Sequence, residues 1–208
     1  MTKDDPHASA DSAVASPADG MDVVTLDGEG GLKHLTSGLG VGPASLFDDL
    51  SQLGPESFLQ ALPPYALVVQ ADNLVNTPGD TLPLENLHRT EVVGAFRIFS
   101  VRPRPESNFS FVSVGRNPHN DIVIPDASVS SFHAFFPNAE RPEVLDARST
   151  NGTHVEGSLA SVRGEGPPSI IPVGGTVRFG NVPAILLDGP QLIDFLRRVM
   201  HDVSNAAD

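Results

Sequence analysis

The chain has 208 residues, a net charge of −13 and no Cys. Its length suits one domain with extensions or two small domains. The negative charge argues against nucleic acid or an anionic membrane as the main partner. The lack of Cys excludes disulfides and thiolate metal sites. Gly and Pro number 19 each, which predicts abundant loops and tails.

The negative charge is concentrated in the N-terminal half of the chain. Residues 1–91 contain three Lys or Arg against 14 Asp or Glu, whereas residues 92–189 contain eight against nine. Residues 1–42 are also rich in Ala, Ser and Gly, a composition that offers little apolar surface for a core. We therefore predict a disordered, acidic tail over residues 1–42.

Helix and strand signals follow in residues 43–91. Leu46 and Leu50 belong to an apolar pattern at helical spacing, and Gly54-Pro55 interrupts it, so that a second short helix begins there. The run from Tyr65 to Gln70 is mostly apolar and predicts a buried strand, followed by a loop. Because about 48 residues make too small a core to stand alone, we predict an extension packed on the next domain.

The pattern changes at residue 92, where short apolar or alternating runs recur about every ten residues. Turn-forming Pro, Gly, Asn, Asp and Ser separate these runs. Short strands without intervening helices predict an all-β sandwich or barrel over residues 92–189. The predicted strands are 92–101, 109–114, 122–124, 132–136, 144–145, 153–155, 177–179 and 184–187.

A final helix is predicted over residues 190–208. Gly189-Pro190 provides its start, and Leu192, Leu196 and Val199 belong to an apolar stripe along one face. Two interpretations stay open. In the preferred one the stripe packs on the protein's own sandwich, and in the other it binds a partner.

Four polar motifs occur in order among the predicted strands. They are Gly115-Arg116, Asn120-Asp121, residues 129–134 (Val-Ser-Ser-Phe-His-Ala) and residues 146–153 (Asp-Ala-Arg-Ser-Thr-Asn-Gly-Thr). Their order and spacing resemble those of the forkhead-associated (FHA) domain family, over roughly residues 94–189. The resemblance implies an FHA-type, SMAD/FHA-like β-sandwich of eleven strands. It also implies that loops at one end of the sandwich bind a phosphothreonine peptide.

The chemistry of these residue types supports phosphate recognition independently. An Arg guanidinium is a planar fork that matches phosphate oxygens, and a Ser hydroxyl adds a short donor. An Asn side chain can donate to and accept from a peptide backbone. The motifs contain no nucleophile paired with a base, so they favour recognition over catalysis, and we predict that the chain is not an enzyme.

The resemblance assigns five residues to the phosphopeptide site. Arg116 and Ser130 match the family's phosphate-binding Arg and Ser. Thr150 and Asn151 match loop residues that contact the phosphothreonine and the peptide backbone. Ser131 stands where the family usually has Arg, Asn or Lys, so the site lacks a common extra contact and its affinity or selectivity is open.

Three further residues are predicted to be structural. Gly115 and Gly152 are most simply explained by backbone requirements. The resemblance implies that His133 ties loops together. His133 has no second His or carboxylate at ligand spacing, so we predict neither a metal site nor a cofactor. Arg148 either adds positive potential near the site or is simply solvated.

Two functional hypotheses remain from the sequence. The first is a phosphothreonine-dependent interaction module that binds a Ser/Thr kinase or a kinase substrate. The second is a scaffold on the same fold that binds partners through its extensions, independently of phosphorylation. The N-terminus lacks a basic start with an apolar core, and no apolar run approaches the roughly 18 residues of a membrane helix. We therefore expect a cytoplasmic protein without membrane insertion.

Overall fold

The computed structural model describes residue 26, residues 31–70 and residues 95–205, with side chains up to residue 201. Eleven strands and two α-helices lie in these ranges, together with a short 3-10 helix, Lys33–Thr36. The helices are α1, Pro43–Ala61, and α2, Gly189–Asn205. The strands are β1, Tyr65–Gln70; β2, Phe96–Ser100; β3, Val112–Gly115; β4, Ile122–Val123; β5, Ala134–Phe136; β6, Glu143–Asp146; β7, Thr153–Val155; β8, Ser158–Leu159; β9, Ser169–Ile170; β10, Thr176–Phe179; and β11, Val182–Asp188.

The strands form two sheets that pack face to face. One sheet has six strands in the order β2-β1-β11-β10-β7-β8, and the other has five in the order β4-β3-β5-β6-β9. Alternate residues of both sheets point inward and form a core that includes Leu67, Val114, Phe136, Phe179 and Leu186. This arrangement confirms the predicted all-β sandwich with flanking helices.

Strand β1 lies inside the six-stranded sheet, although the sequence places it in the extension before the sandwich. It pairs antiparallel with β11, where Leu67 lies opposite Leu186, and with β2, where Val68 lies opposite Ile98. Both neighbours follow it by at least 26 positions along the chain, so no local signal indicates this pairing. The sandwich therefore takes one of its central strands from residues 43–91.

Two helices cover the outer face of the six-stranded sheet. Helix α1 bends at Gly54, whose φ of 74° interrupts the helical path in front of Pro55, as the sequence predicts. Phe58 of α1 and Leu196 of α2 are both fully buried in a second core between the helices and the sheet. The apolar stripe of α2 therefore packs on its own sandwich, in agreement with the preferred interpretation.

Residues 31–42, which the sequence places in the disordered tail, instead pack against the helical layer. Leu32 and Leu35 are buried in the second core, and Val41 exchanges two backbone hydrogen bonds with Ile98 of β2. Their few apolar side chains are spaced too irregularly to predict this burial. Of the remaining tail, only Leu26 lies within the described residues.

Smaller differences concern the strand ends. The predicted strand 109–114 begins only at Val112, and the predicted strand 132–136 begins only at Ala134, so that Phe109 and Phe132 lie outside the sheet. Strands β8 and β9 have two residues each and carry no alternating pattern, which explains why the sequence does not reveal them. Among the described residues, neither helix has the length and hydropathy needed to cross a membrane.

We expect Phe58→Ala to destabilise the fold by about 3–5 kcal/mol, because it leaves a cavity between α1 and the sheet. Urea denaturation measures the free energy of unfolding. Leu159→Ala is the control, since Leu159 is 73% exposed, and it should change that free energy by less than about 0.5 kcal/mol. Equal, small effects of both substitutions would show that the helical layer contributes little to stability.

Candidate functional site

Four loops meet at one end of the sandwich. They connect β3 to β4, β4 to β5, β6 to β7 and β10 to β11. Backbone hydrogen bonds join them directly: Arg116 N–H donates to the Ser130 carbonyl at 2.9 Å, and Gly180 N–H donates to the Gly152 carbonyl at 3.1 Å. We call this surface the loop end, and all five predicted binding residues lie on it.

Arg116 leaves the end of β3 and is exposed. Its Nε donates to the Val129 carbonyl at 3.2 Å, which fixes the guanidinium against the β4–β5 loop. Among the described residues, no carboxylate forms an ion pair with Arg116. Gly115 precedes it, and a Cβ there would collide with the Ser131 carbonyl, so the absence of a side chain permits this close approach of the two loops.

Ser130 and Thr150 join two of the loops through their side chains. The Thr150 N–H donates to Ser130 Oγ at 3.0 Å, and Ser130 Oγ lies 3.4 Å from Thr150 Oγ1. Ser130 is half-buried and Thr150 is exposed. Two hydroxyl groups from distant parts of the sequence are therefore presented side by side.

Asn151 lies next to Thr150 and is also exposed. Its Nδ2 donates to the Ser128 carbonyl at 2.7 Å. An amide nitrogen carries two N–H groups, so this bond uses one donor and orients the rest of the side chain. The other donor and the carbonyl oxygen have no hydrogen-bond partner among the described residues.

Ser131 is exposed beside Ser130, and its backbone is held from the β3–β4 loop. Its carbonyl accepts hydrogen bonds from Asn117 N–H at 3.2 Å and from Asn120 Nδ2 at 2.7 Å. Its side chain is short and uncharged, so Arg116 is the only one of the five predicted binding residues with a positive charge.

His133 is fully buried beneath these loops and connects two of them. Its Nδ1 accepts from the Ser130 N–H at 3.0 Å, and its Nε2 lies 3.2 Å from the Gly152 carbonyl. A neutral imidazole with its proton on Nε2 satisfies both partners. Burial lowers the pKa of His133, against the opposing effects of the Gly152 carbonyl and the Asp146 charge, and this favours the neutral ring.

Asp146 braces the β6–β7 loop from inside. Its carboxylate accepts from Ser149 N–H at 2.8 Å, Ser149 Oγ at 2.6 Å and Thr153 Oγ1 at 2.7 Å. Burial acts to raise the pKa of Asp146, but these hydrogen bonds outweigh it and the pKa is lowered. Gly152 completes the turn with a φ of 74°, a conformation that favours Gly.

Arg148 is exposed at the start of the same loop, and its Nη2 lies 3.4 Å from Glu165 Oε1. Glu165 therefore offsets the positive charge that Arg148 would otherwise add to the loop end. The nearby carboxylates Asp126 and Asp146 are buried and hydrogen-bonded to Ser side chains. The exposed groups of the loop end thus include a guanidinium, hydroxyls and an amide, which are hydrogen-bond donors of the kind that anions require.

Three residues at the loop end have supporting roles that the sequence did not reveal. Asn120 is buried and donates to the carbonyls of Asn117 and Ser131, which fixes the spacing of two loops. Ser128 accepts from Asn151, and Gly180 packs so closely on the Ser128 carbonyl that any side chain there would collide with it. The sequence signal for Asn120 was its place in the Asn120-Asp121 motif, directly before the apolar run 122–124. The other two depend on tertiary contacts alone.

Comparison with known proteins finds a family match for the central region of the chain. The model of the FHA domain matches residues 112–180. The ABC transporter ATP-binding/permease protein Rv1747 of Mycobacterium tuberculosis is 35% identical over 79 residues, which cover 38% of this chain and 8% of that protein. The chain thus matches a small part of its curated relative.

Solved structures that are similar to this chain include FHA domains. The FHA domain of CT664 from Chlamydia trachomatis is 24% identical with a TM-score of 0.37, covering 60% of this chain and 97% of that one. Mycobacterium tuberculosis EmbR, solved in complex with a low-affinity phosphopeptide, is 17% identical with a TM-score of 0.39 and covers 70% of this chain and 29% of that one.

We expect acid to destabilise the fold through His133. Its pKa is lowered from 6.5 in the folded protein, so the unfolded chain binds a proton that the folded chain does not. The stabilising contribution of the neutral ring is present above about pH 6.5 and is lost as the pH falls through that value toward the folded-state pKa. Chemical denaturation at a series of pH values between about 7.5 and 5 measures this loss.

Two variants isolate the contribution of His133. His133→Gln should lack this part of the pH dependence, whereas His119→Gln, at an exposed position, should retain it. A pH profile of His133→Gln that parallels the unsubstituted protein would contradict the assignment of a neutral imidazole as the link between the two loops.

Proposed function

We propose that this chain, which carries an FHA domain at residues 112–180, binds phosphothreonine-containing proteins through its loop end. FHA domains are non-catalytic modules known for phosphothreonine-dependent interactions. In this proposal Arg116 and Ser130 bind the phosphate. Thr150 and Asn151 contact the phosphothreonine and its backbone, and Ser131 lines the rim of the site.

The convergence of Arg116, Ser130 and Thr150 carries the proposal. Arg116 is anchored through Nε to the Val129 carbonyl, so its terminal nitrogens sit on a rigid frame. The hydroxyls of Ser130 and Thr150 lie 3.4 Å apart on the neighbouring loops. A phosphate dianion needs one fixed cation and several neutral donors, and these three residues supply both.

The partner is a protein phosphorylated on threonine, and we infer that it is a Ser/Thr kinase or a kinase substrate. Because such kinases use ATP, the proposed compartment is the cytoplasm. The alternative of a phosphorylation-independent scaffold has weaker support, because the apolar side chains of α2, such as Leu192 and Leu196, are buried against the protein's own sheet.

Arg116→Ala should weaken binding to a phosphothreonine peptide by about tenfold to a few hundredfold. Each hydrogen bond to a charged group contributes roughly 1.5–3 kcal/mol, and the substitution removes one or two of them. Fluorescence polarisation measures the affinity of a degenerate phosphothreonine library. Arg141→Ala is the matched control, since Arg141 is equally cationic but follows β5 at the opposite end of the sandwich.

Phosphorylation dependence decides between the two functions. The same library without phosphate, and one with phosphoserine in place of phosphothreonine, should bind weakly to every variant. If phosphorylated and unphosphorylated peptides bind equally well, and Arg116→Ala changes neither, the scaffold function replaces the one proposed.

Ser131→Arg should strengthen phosphopeptide binding about three- to tenfold, because it restores a cation where the family usually has one. The gain is limited to this range because ordering a long side chain costs conformational entropy. Ser131→Gln controls for side-chain size without charge. Isothermal titration calorimetry at two salt concentrations separates the specific contact from general attraction. Equal tightening for unphosphorylated peptide would show that the added charge acts only non-specifically.

A further inference from the structure

A shallow cavity of about 400 Å³ lies on the outer face of the five-stranded sheet. Three phenylalanines, Phe109, Phe111 and Phe132, form its apolar wall, and Asn117 and Ser131 lie at one rim. We call this feature the aromatic groove. Its position beside the loop end makes it a candidate for a second contact with a ligand.

The rings of the aromatic groove face solvent although they pack on one another. Phe109 stacks on Phe111 with centroids 4.7 Å apart, and Phe111 lies 5.3 Å from the ring of Phe135. Yet 58% of Phe109 and 36% of Phe132 remain exposed. A contiguous cluster of exposed aromatic rings on a soluble fold is typical of an interaction surface.

Strand geometry explains why Phe135, the ring on which Phe111 and Phe132 pack, faces outward. Val112 and Val114 of β3, and Ala134 and Phe136 of β5, fill the core between the sheets. Their neighbours along the strands, among them Phe135, must then point to the opposite face. Helices α1 and α2 cover the other sheet, whereas no described helix covers this face.

The aromatic groove is continuous with the proposed phosphate site. Ser131 is a member of both, and Asn117 follows Arg116 directly in the chain. The Asn117 N–H donates to the Ser131 carbonyl at 3.2 Å, so the rim of the groove and the wall of the site are one hydrogen-bonded unit. A peptide bound at Ser131 therefore has its neighbouring residues beside the groove.

We infer that the aromatic groove binds an apolar side chain, aromatic or branched aliphatic, of the same phosphothreonine protein, close in sequence to the phosphothreonine. The inference rests on the proposed function and adds the second feature that a ligand must carry. Burial of such a side chain against Phe109 and Phe111 removes apolar surface of both partners from water, and an aromatic side chain gains ring contacts as well.

The charge near the groove disfavours a basic side chain. Arg163 lines the groove, and its guanidinium lies 5.8 Å from the centroid of Phe135. This cation already occupies one aromatic face and repels a second positive charge. Selection for an apolar residue and against Lys and Arg is therefore the expected signature.

The test uses a phosphothreonine peptide library that is randomised on both sides, bound to the full chain. We expect enrichment of an apolar residue at one flanking position. Phe109→Ser should weaken binding of the tightest-binding peptide with an apolar residue at the enriched position by about tenfold. The affinity for the same peptide with Ser at that position should not change. Ile170→Ser is the control, because Ile170 is 67% exposed on β9 and lies at the far end of the sheet from the loop end, and it should affect neither peptide.

Phe111→Ser provides a second variant at the same groove and should reproduce the selective loss, with circular dichroism confirming that both variants fold. The inference is wrong if the library shows no preference at a flanking position, or if the variants weaken binding of both peptides equally. In either case, binding that still depends on phosphate would support the proposed function. A concentration-dependent dimer that Phe109→Ser abolishes, with peptide affinities unchanged, would also overturn it by assigning the groove to a second copy. Loss of phosphate dependence itself would remove the proposed function, and the inference with it.

Discussion

The shape of the loop end depends on the two hydrogen bonds of the buried His133 imidazole. Through its two ring nitrogens it holds the Ser130 N–H and the Gly152 carbonyl, which belong to loops far apart in sequence. Neither backbone group could stay unpaired at this depth without a penalty of about 1–3 kcal/mol. One neutral side chain therefore satisfies two buried polar groups and sets the distance across which Ser130 and Thr150 face each other.

The fold has three layers, which are the helices, the six-stranded sheet and the five-stranded sheet, and its two outer faces differ in what covers them. The helical layer occupies the outer face of the six-stranded sheet, and its core includes Leu46, Phe58 and Leu196. No described helix covers the outer face of the five-stranded sheet, and Arg116, Ser130 and Ser131 lie at the ends of its strands. The helical core and the proposed binding residues thus lie on different sides of the same sandwich, so substitutions on one side have few shared contacts with the other.

Local pattern was sufficient to predict most of the elements. The interruption at Gly54-Pro55, the strand at Tyr65–Gln70 and the apolar stripe of α2 each carry their signal within a few residues. The family resemblance correctly indicated the sandwich, but one of the eleven strands in the described residues, β1, lies before the region that the resemblance covers. The binding roles of Arg116 and its neighbours remain predictions.

Non-local contacts account for what the sequence did not reveal. The place of β1 between β2 and β11 depends on pairing over long separations, and the burial of Leu32 and Leu35 depends on a helical layer built from both ends of the chain. The sequence did not reveal the aromatic groove for a similar reason. Phe109 belongs to an apolar run that resembles a buried strand, and only the observed start of β3 at Val112 leaves it exposed.

The network around Asp146 has a kinetic consequence. Its carboxylate holds the Ser149 backbone and the Ser149 and Thr153 hydroxyls from within, so the loop that carries Thr150 and Asn151 already has its shape in the free protein. A ligand of the loop end need not wait for a rearrangement, and its association rate is then set by diffusion and orientation. Ligands that differ in affinity would accordingly differ in how long they stay bound rather than in how fast they arrive.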